Sequence, residues 1–313
     1  MKISAFTMVR NAEKYYFPIK ESILSVLPIV DEVVVALGDC DANDHTLELI
    51  QSIQSDKIKI FRRLWSEQDF VDGRIFAQET NFALSKCTGD WCIYLQADEL
   101  IHEKDHAQIT QYCHRFYSDN RVDGFLFDYY HFYGDYSHHL PVHGWYKNEI
   151  RIIRNRTSIY SFKDAQSFRK KENDKLDVVR INAHIYHYGW VRPPHLMQSK
   201  KKEQDSMHHG VQKTAEHYKS QLRYFDYGAL GKLDRFEKSH PKIMQAFIKR
   251  LDWQQQLNYS SKANLKRPKL KHERWKYRLL TFLEKFFNKG ADFWGYSNWN
   301  ILKVPKSDTK KAP

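Results

Sequence analysis

Residues 3–37, ISAFTMVRNAEKYYFPIKESILSVLPIVDEVVVAL, hold two apolar strand patterns joined by an amphipathic segment. The first strand is predicted over residues 3–9 and the second over residues 32–37, where the β-branched residue valine dominates. Between them, residues 14–27 predict a helix that Pro28 ends. A strand, a helix and a second strand in this order are typical of a parallel strand pair with a helical crossover.

The same rhythm continues through the first hundred residues. Residues 45–55 predict a helix with Asp44 at its N-cap, and residues 57–61, KIKIF, predict a third strand. Residues 73–86 predict another helix, and residues 91–95, WCIYL, predict a fourth strand. We therefore expect an α/β protein with an open, mostly parallel sheet flanked by helices, in which ligands bind beyond the carboxyl ends of the strands.

The pattern changes in the second half of the chain. Residues 124–134 and 149–155 predict further strands, and residues 184–190 predict a short aromatic strand or loop. Long charged helices are predicted from about residue 194, including one over residues 240–253. The expected organisation is a catalytic domain over residues 1–195, a helical C-terminal extension over 196–305 and a disordered tail over 306–313.

Composition limits the classes of partner. The formal net charge of +12 favours anionic partners such as nucleotide phosphates, nucleic acid or acidic lipid headgroups. The 4 cysteines lack zinc-site spacing, which indicates free thiols in a reducing compartment. The N-terminal apolar run is too short for a signal peptide, and no apolar run approaches the roughly 18 residues that span a bilayer. We expect a cytoplasmic protein, with peripheral contact at the inner face of the membrane left open.

Acidic loops follow two of the predicted strands. Asp98 and Glu99 end the fourth strand, where a carboxylate can hold Mg²⁺ or Mn²⁺ together with a diphosphate. Asp39 and Asp41 follow the second strand, where an acid can hydrogen-bond a base or a ribose. Solvated strand ends and turns are the alternative interpretation of both loops.

A family resemblance rests on these same segments. Residues 7–46, from TMVRNAEK to GDCDANDHT, and residues 79–99, ETNFALSKCTGDWCIYLQADE, resemble the family-2 glycosyltransferases with a GT-A fold. The resemblance is strongest over residues 3–100 and continues more loosely to about residue 195. It implies a Rossmann-like GT-A domain that transfers a sugar from a nucleotide diphosphate-sugar donor to a saccharide or lipid-linked acceptor.

The resemblance also implies site residues. Gln96 replaces the first acid of the family's metal-binding DxD motif, whereas Asp98 keeps the second. The family often brings a late histidine to the metal, and His187 resembles it, although the histidines near this position can equally stabilise a buried turn. The implied metal is Mn²⁺ or Mg²⁺, with Asp98 and His187 as ligands. The candidate residues for binding the nucleotide-sugar are Val9, Arg10, Asn11, Asp39, Asp41, Arg74, Asn81, Gln96, Ala97 and Arg192.

An inverting transfer needs a base for the acceptor hydroxyl. Asp164 follows a predicted strand and precedes a possible helix, so it is the first candidate. Glu149 opens a strand and is the second candidate. A surface ion pair is the alternative interpretation of either residue. Trp145 and Tyr146 are candidates for stacking on a sugar ring, although core packing is the commoner use of such rings.

The segment 274–289, RWKYRLLTFLEKFFNK, is basic and amphipathic. It fits a helix in the membrane interface, and it fits equally a helix whose apolar side packs on the catalytic domain.

The predicted function is that of an inverting, metal-dependent hexosyltransferase in cell-surface polysaccharide or lipopolysaccharide synthesis. A nucleotidyltransferase would usually carry a glycine-rich phosphate loop after the first strand, and residues 7–14, TMVRNAEK, contain no glycine. A nucleic-acid-binding protein would explain the charge but not two acidic loops at neighbouring strand ends. We therefore expect no nucleic-acid partner.

Overall fold

A computed structural model describes residues 1–264, 266–288, 293, 295 and 297–304 of the chain. Over these residues the strands are β1 (Ile3–Val9), β2 (Glu32–Leu37), β3 (Ile58–Arg62), β4 (Trp91–Tyr94), β5 (Glu99–Ile101), β6 (Gly124–Tyr133), β7 (His138–His139), β8 (Asn148–Arg154), β9 (Tyr160–Phe162), β10 (Ser167–Arg169), β11 (Leu176–Trp190), β12 (Asp234–Arg235) and β13 (Trp299–Ile301). The α-helices are α1 (Ile19–Val26), α2 (Thr46–Gln51), α3 (Arg74–Ser85), α4 (His106–Arg115), α5 (Pro194–His209), α6 (Val211–Tyr218), α7 (Gln245–Ile248) and α8 (Trp275–Phe287).

The predicted α/β class is confirmed. The central sheet has 11 strands, and its first half runs in the order β3-β2-β1-β4 with every pair parallel. Phe6 pairs with Val34 on one side and with Tyr94 on the other, so β1 lies between its parallel neighbours. All six residues of β2 are buried, as expected for a strand covered on both faces. The carboxyl ends of β1, β2 and β4 therefore meet at one edge.

The second half of the sheet is mixed. Strand β8 pairs antiparallel with β4 and with β6, while β11 pairs parallel with β6. The predicted strand over 184–190 is the end of the much longer β11, whose first residues alternate between buried and exposed positions. The described tail also returns to the sheet, because β13 pairs with β11. The C-terminal extension is therefore attached to the central sheet and is not purely helical.

The long helix predicted over residues 240–253 is wrong. The chain there forms a 3₁₀ turn, Lys242–Met244, followed by the single turn of α7. Tertiary packing overrides the helical pattern, because Trp253 is almost fully buried and its indole N–H donates to the Gly134 carbonyl at 2.9 Å. The tail predicted over residues 306–313 lies outside the described residues. Over the part of the chain that the structure describes, no helix is long and apolar enough to cross a bilayer.

Candidate active site

A cleft of about 320 Å³ lies at the carboxyl ends of β1 and β4, with α5 along one side. Its wall combines backbone from the strand ends with aromatic side chains and a few charged groups. The main residues of this wall are Val9, Arg10, Asn11, Tyr15, Phe17, Trp65, Phe76, Gln96, Ala97, Asp98, Trp145, Tyr146, Asp164, Gln166, His187, Trp190, Lys200, Glu203, Met207 and His208. This is the edge of the sheet at which the sequence predicted a ligand.

The loops after β1 and β2 hold each other in place. Asn11 has a left-handed φ of 54°, and its side-chain amide donates to the Asp41 carboxylate at 3.0 Å and accepts from the Asp41 N–H at 2.8 Å. The Asp39 carboxylate accepts from the Trp65 N–H at 3.0 Å. Asp39 and Asp41 thus fasten the loops beside the cleft and are not among the residues that line it. Their contact with a base or ribose stays a prediction.

Glu99 anchors the strand end that carries Asp98. The Glu99 carboxylate is fully buried and accepts two hydrogen bonds from Arg151, at 2.8 and 2.9 Å, and a third from the Tyr129 hydroxyl at 2.9 Å. Because a buried ion pair with this many partners is costly to break, the backbone at residue 98 is firmly fixed. Asp98, only 6% exposed, is left to face the cleft.

Asp98 faces His187 across the end of β11. The Asp98 Oδ1 and His187 Nε2 atoms are 3.8 Å apart. His187 is a direct ladder partner of His131, because β6 and β11 pair in parallel with these two residues in register. The two imidazoles meet through their Nδ1 atoms at 2.8 Å. A chain of contacts therefore runs from Asp98 through His187 to His131.

The hydrogen-bond partners assign the histidine tautomers. His131 Nε2 lies 2.7 Å from the Tyr146 carbonyl oxygen, which can only accept, so His131 carries its proton on Nε2. Burial lowers the pKa of His131 and of His187 to about 3, so both rings are neutral near pH 7. The His131 Nδ1 lone pair then accepts the proton of His187 Nδ1. His187 Nε2 is left unprotonated and directed toward Asp98.

Gly189 leaves the space between these two groups open. A Cβ atom built on Gly189 would lie 2.4 Å from His187 Nε2 and 2.8 Å from Asp98 Oδ2. A carboxylate oxygen and an imidazole lone pair facing one small space fit the ligand set of a divalent cation. In the described residues no group of three or more His, Cys, Asp or Glu side chains could hold a metal. A cation here would therefore take its other ligands from diphosphate and water, as Mg²⁺ commonly does.

Lys200 is the cation that α5 contributes to the cleft wall. Burial, reinforced by the nearby charge of Arg192, lowers the pKa of Lys200 to about 7. Arg192, a candidate for binding the nucleotide-sugar through its diphosphate, is fully buried and is not among the residues that line the cleft. Its guanidinium donates to the carbonyl oxygens of Tyr15 and Gly189. The predicted diphosphate contact of Arg192 would need a rearrangement that Lys200 does not need.

The two candidate bases differ sharply in environment. Asp164 is exposed in the turn between β9 and β10 and lines the cleft. The helix considered after Asp164 is absent, because residues 167–169 form the second strand of a hairpin. Glu149 is 1% exposed and is not among the cleft residues. Burial raises the pKa of Glu149 to about 8, and its Oε1 accepts a hydrogen bond from Gln166 at 2.9 Å.

A second, larger groove opens next to the cleft. It has a volume of about 1690 Å³, a mostly polar lining, and shares Asp164, Gln166 and His208 with the cleft. Two residues predicted to bind the nucleotide-sugar, Arg74 and Asn81, line this groove and not the cleft. Asn81 has a structural role, because its side-chain amide donates to the Ser161 carbonyl at 3.0 Å and accepts from the Ser161 N–H at 2.6 Å.

Eight of the predicted site residues come together in the cleft, namely Val9, Arg10, Asn11, Gln96, Ala97, Asp98, Asp164 and His187. Sequence reasoning missed Lys200, Trp65, His131 and Gly189. Gly189 could have been predicted, because it lies within the run of histidine and aromatic residues that contains His187. The indole N–H of Trp65 is buried in the cleft wall without a hydrogen-bond partner among the described residues.

The chain resembles one curated protein in sequence and several solved structures in part. No protein-family model matches the chain. The sequence is 21% identical over 182 residues to the "uncharacterized glycosyltransferase MG060" of Mycoplasma genitalium, a match that covers 58% of this chain and 59% of that protein. The chain thus spans less than two thirds of the length of this relative.

Two solved structures show partial likeness. One is TarS from S. aureus, with 14% identity, coverage of 70% of this chain and 72% of the other, and a TM-score of 0.38. The other is glucosyl-3-phosphoglycerate synthase from Mycobacterium tuberculosis in complex with Mn²⁺, UDP and phosphoglyceric acid, with 17% identity, coverage of 42% and 43%, and a TM-score of 0.28. Both TM-scores are low, so neither neighbour supports a statement about the chemistry of this chain.

Proposed function

We propose that this protein is a metal-assisted glycosyltransferase that moves a sugar from a nucleotide diphosphate-sugar to an acceptor hydroxyl, with inversion at the anomeric carbon. One observation carries the proposal. The Asp98 carboxylate and the unprotonated Nε2 of His187 lie 3.8 Å apart across Gly189, in a cleft at the carboxyl ends of β1 and β4. The similarity to a glycosyltransferase of Mycoplasma genitalium supports the same activity.

Asp98 and His187 would hold Mn²⁺ or Mg²⁺. The metal supplies Lewis-acid stabilisation of the negative charge on a departing nucleoside diphosphate. Lys200 lies in the same wall, and a bound diphosphate would favour its ammonium form over the neutral form that burial favours. Gln96, which stands in place of an acid, removes one negative charge from the motif and leaves Asp98 as the carboxylate that faces the metal.

The nucleoside would occupy the part of the cleft near the β1 and β2 loops. Trp65 offers an unpaired indole N–H there, and the Arg10 guanidinium lies 5.8 Å from its ring centroid. Arg10 is itself held by Glu203 of α5 at 2.8 Å. These groups give the site an aromatic wall with one directed donor, which suits a base that presents carbonyl oxygens.

The acceptor would enter from the larger groove. Asp164 sits where the groove meets the cleft, so its carboxylate is accessible to a hydroxyl group in the groove. As that hydroxyl oxygen forms its bond to the anomeric carbon, its proton passes to Asp164. The bond from the anomeric carbon to the diphosphate oxygen breaks, and the nucleoside diphosphate leaves with the electron pair. The polar lining of the groove is suited to a saccharide.

Nucleotide binding with and without Mn²⁺ tests the proposal. Isothermal titration with UDP, GDP, CDP, ADP and dTDP should show one base bound at least about tenfold more tightly when Mn²⁺ is present. Asp98→Ala should remove the metal-dependent part of this binding. Glu48→Gln, an exposed carboxylate variant on α2, is the matched control and should bind as the wild type does. Equal affinity with and without Mn²⁺ for every nucleotide in the folded wild type would overturn the proposal.

A further inference from the structure

Helix α8 contacts the rest of the protein through a mixed face, on which Tyr277 packs against the core and polar groups make hydrogen bonds and ion pairs. The Glu284 carboxylate is fully buried and pairs with His143 Nδ1 and with Lys147 Nζ, the latter at 3.1 Å. Thr281, one turn earlier, accepts a hydrogen bond from the His143 N–H at 2.9 Å. A surface helix normally buries its apolar stripe, whereas the attached face of α8 includes a buried carboxylate.

Several large apolar side chains of α8 face away from the protein, whereas Tyr277, Leu280 and Leu283 are half-buried. Trp275 is 75% exposed, Phe286 is 71% exposed and Phe282 is 56% exposed. With 100° between successive residues, these three and Leu279 fall within an arc of about 60°. Helix α8 therefore does pack on the rest of the protein, as one interpretation expected, but through the opposite face and not through this stripe. Neighbouring exposed apolar side chains of this kind are typical of a surface that binds a partner or a membrane.

Basic side chains border the stripe. Arg278 and Lys285 lie on one side and Lys276 on the other, and all three are exposed. Lys285 also pairs with Asp234, which leaves Lys276 and Arg278 as the cations without an ion pair among the described residues. Long basic side chains on both sides of an apolar stripe can reach lipid phosphates while the stripe enters the acyl boundary.

We infer that α8 lies flat in the interface of an anionic lipid bilayer. Charge complementarity favours a membrane over a second copy of this chain. The only carboxylate of α8 is Glu284, which is buried on the opposite side. Two copies joined stripe to stripe would therefore bring Arg278, Lys276 and their equivalents together with no acid on either helix to compensate them.

The docked helix would bring the cleft to the membrane surface. His143 and Lys147, the partners of Glu284, bracket Trp145 and Tyr146, which line the cleft. The attached face of α8 therefore contacts the segment that contributes two residues to the cleft wall. If the proposed function holds, docking of α8 would place the enzyme on the surface where a lipid-linked acceptor is found. The docking itself does not depend on the proposed function.

Vesicle co-sedimentation of the full chain tests the inference. Binding should be strong to vesicles of phosphatidylcholine and phosphatidylglycerol, weaker by about tenfold or more to pure phosphatidylcholine, and reduced by salt. Phe282→Gln combined with Phe286→Gln should lower binding by about tenfold or more. Leu222→Gln combined with Tyr224→Gln, which alters two exposed residues elsewhere, is the matched control and should bind as the wild type does. Lys276→Gln combined with Arg278→Gln should remove most of the preference for anionic lipid.

Two outcomes would overturn the inference. The first is equal vesicle binding by the Phe282/Phe286 variant and the wild type. The second is a dimer of the wild type without lipid, seen by analytical ultracentrifugation, that the same variant abolishes, because a second copy would then cover the stripe. Nucleotide titration of each variant is the separate readout. A variant that loses vesicle binding but keeps its nucleotide affinity would show that α8 affects membrane binding only. A wild type that binds no nucleotide would contradict the proposed function and leave the membrane inference intact.

Discussion

His131 and His187 are paired through their Nδ1 atoms at 2.8 Å, and this contact leaves His187 Nε2 free to face Asp98. The pair exists because β6 and β11 place the two residues opposite each other in a parallel ladder. His131 is in turn fixed by the Tyr146 carbonyl oxygen at 2.7 Å. A group that orients a metal-binding imidazole in this way usually tunes affinity without touching the metal.

His131→Phe should weaken Mn²⁺ binding by about 10- to 100-fold, because His187 loses the acceptor that keeps its proton on Nδ1. Titration of Mn²⁺ followed by electron paramagnetic resonance measures this without turnover. His131→Gln, whose amide can still accept from His187, should recover part of the affinity. His45→Gln, an exposed histidine variant, serves as the control. Unchanged Mn²⁺ affinity in the phenylalanine variant would show that His131 only fills space.

Gly189→Ala should abolish metal-dependent nucleotide binding while the sheet remains folded. The new methyl group would lie 2.4 Å from His187 Nε2 and 2.8 Å from Asp98 Oδ2, so both side chains must move. Isothermal titration calorimetry in the presence of Mn²⁺ measures the loss of nucleotide binding. Circular dichroism checks that the sheet remains folded.

Gly210→Ala is the informative control for this substitution. Nothing lies within 4 Å of a Cβ built there, but its φ of +83° strains any L side chain. It should lower the free energy of unfolding by about 1 kcal/mol and leave Mn²⁺ binding unchanged. A Gly189→Ala variant that still binds Mn²⁺ with wild-type affinity would contradict the assigned position of the cation.

The sequence predicted where the strands end. It predicted few of the side chains from elsewhere in the chain that lie opposite those ends. Val9 and Asp98 could be placed because buried parallel strands have a readable apolar pattern and end at one edge. His131 could not be placed, because the register between β6 and β11 depends on packing that no local pattern encodes. Lys200 could not be placed either, because its Nζ is positioned by a hydrogen bond to the Gly189 carbonyl at 3.2 Å, a contact between α5 and the end of β11 that no local pattern encodes.

Lys200 should make stability and ligand binding depend on pH. Its pKa is lowered to about 7 in the folded protein, whereas an unfolded lysine titrates near 10.4. Between these values the unfolded chain binds more protons, so this group makes the free energy of unfolding rise as pH increases from about 7 to 10. Lys200→Met should flatten that rise, measured by urea denaturation at several pH values.

Ligand binding gives a second readout of the same group. At pH 8 a bound diphosphate should restore the ammonium form of Lys200, so binding takes up a fraction of a proton. Titration in two buffers with different ionisation enthalpies measures that uptake, and Lys200→Met should lose it. Lys202→Met changes a neighbouring lysine that is not among the cleft residues and should keep the uptake. The same proton uptake in the Lys200→Met variant would exclude Lys200 as the group that titrates.

Substitutions of Asp164 and Glu149 should have clearly different effects on kcat. Asp164→Asn should lower kcat by about 10²- to 10⁴-fold with little change in KM for the donor, because Asp164 is exposed at the junction of the cleft and the groove. Glu149→Gln should change kcat far less. Burial raises the pKa of Glu149 to about 8, so this carboxyl is already mostly protonated near pH 7 and cannot act as a base there.

The pH profile of the two variants provides the decisive comparison. The Glu149→Gln amide replaces a neutral carboxyl group beside Gln166, so the profile of kcat should keep its wild-type acidic limb. In Asp164→Asn most of the rate should be lost at every pH, since the carboxylate that accepts the hydroxyl proton is gone. A larger loss of kcat in Glu149→Gln than in Asp164→Asn, with both variants folded, would assign the base to the buried residue instead.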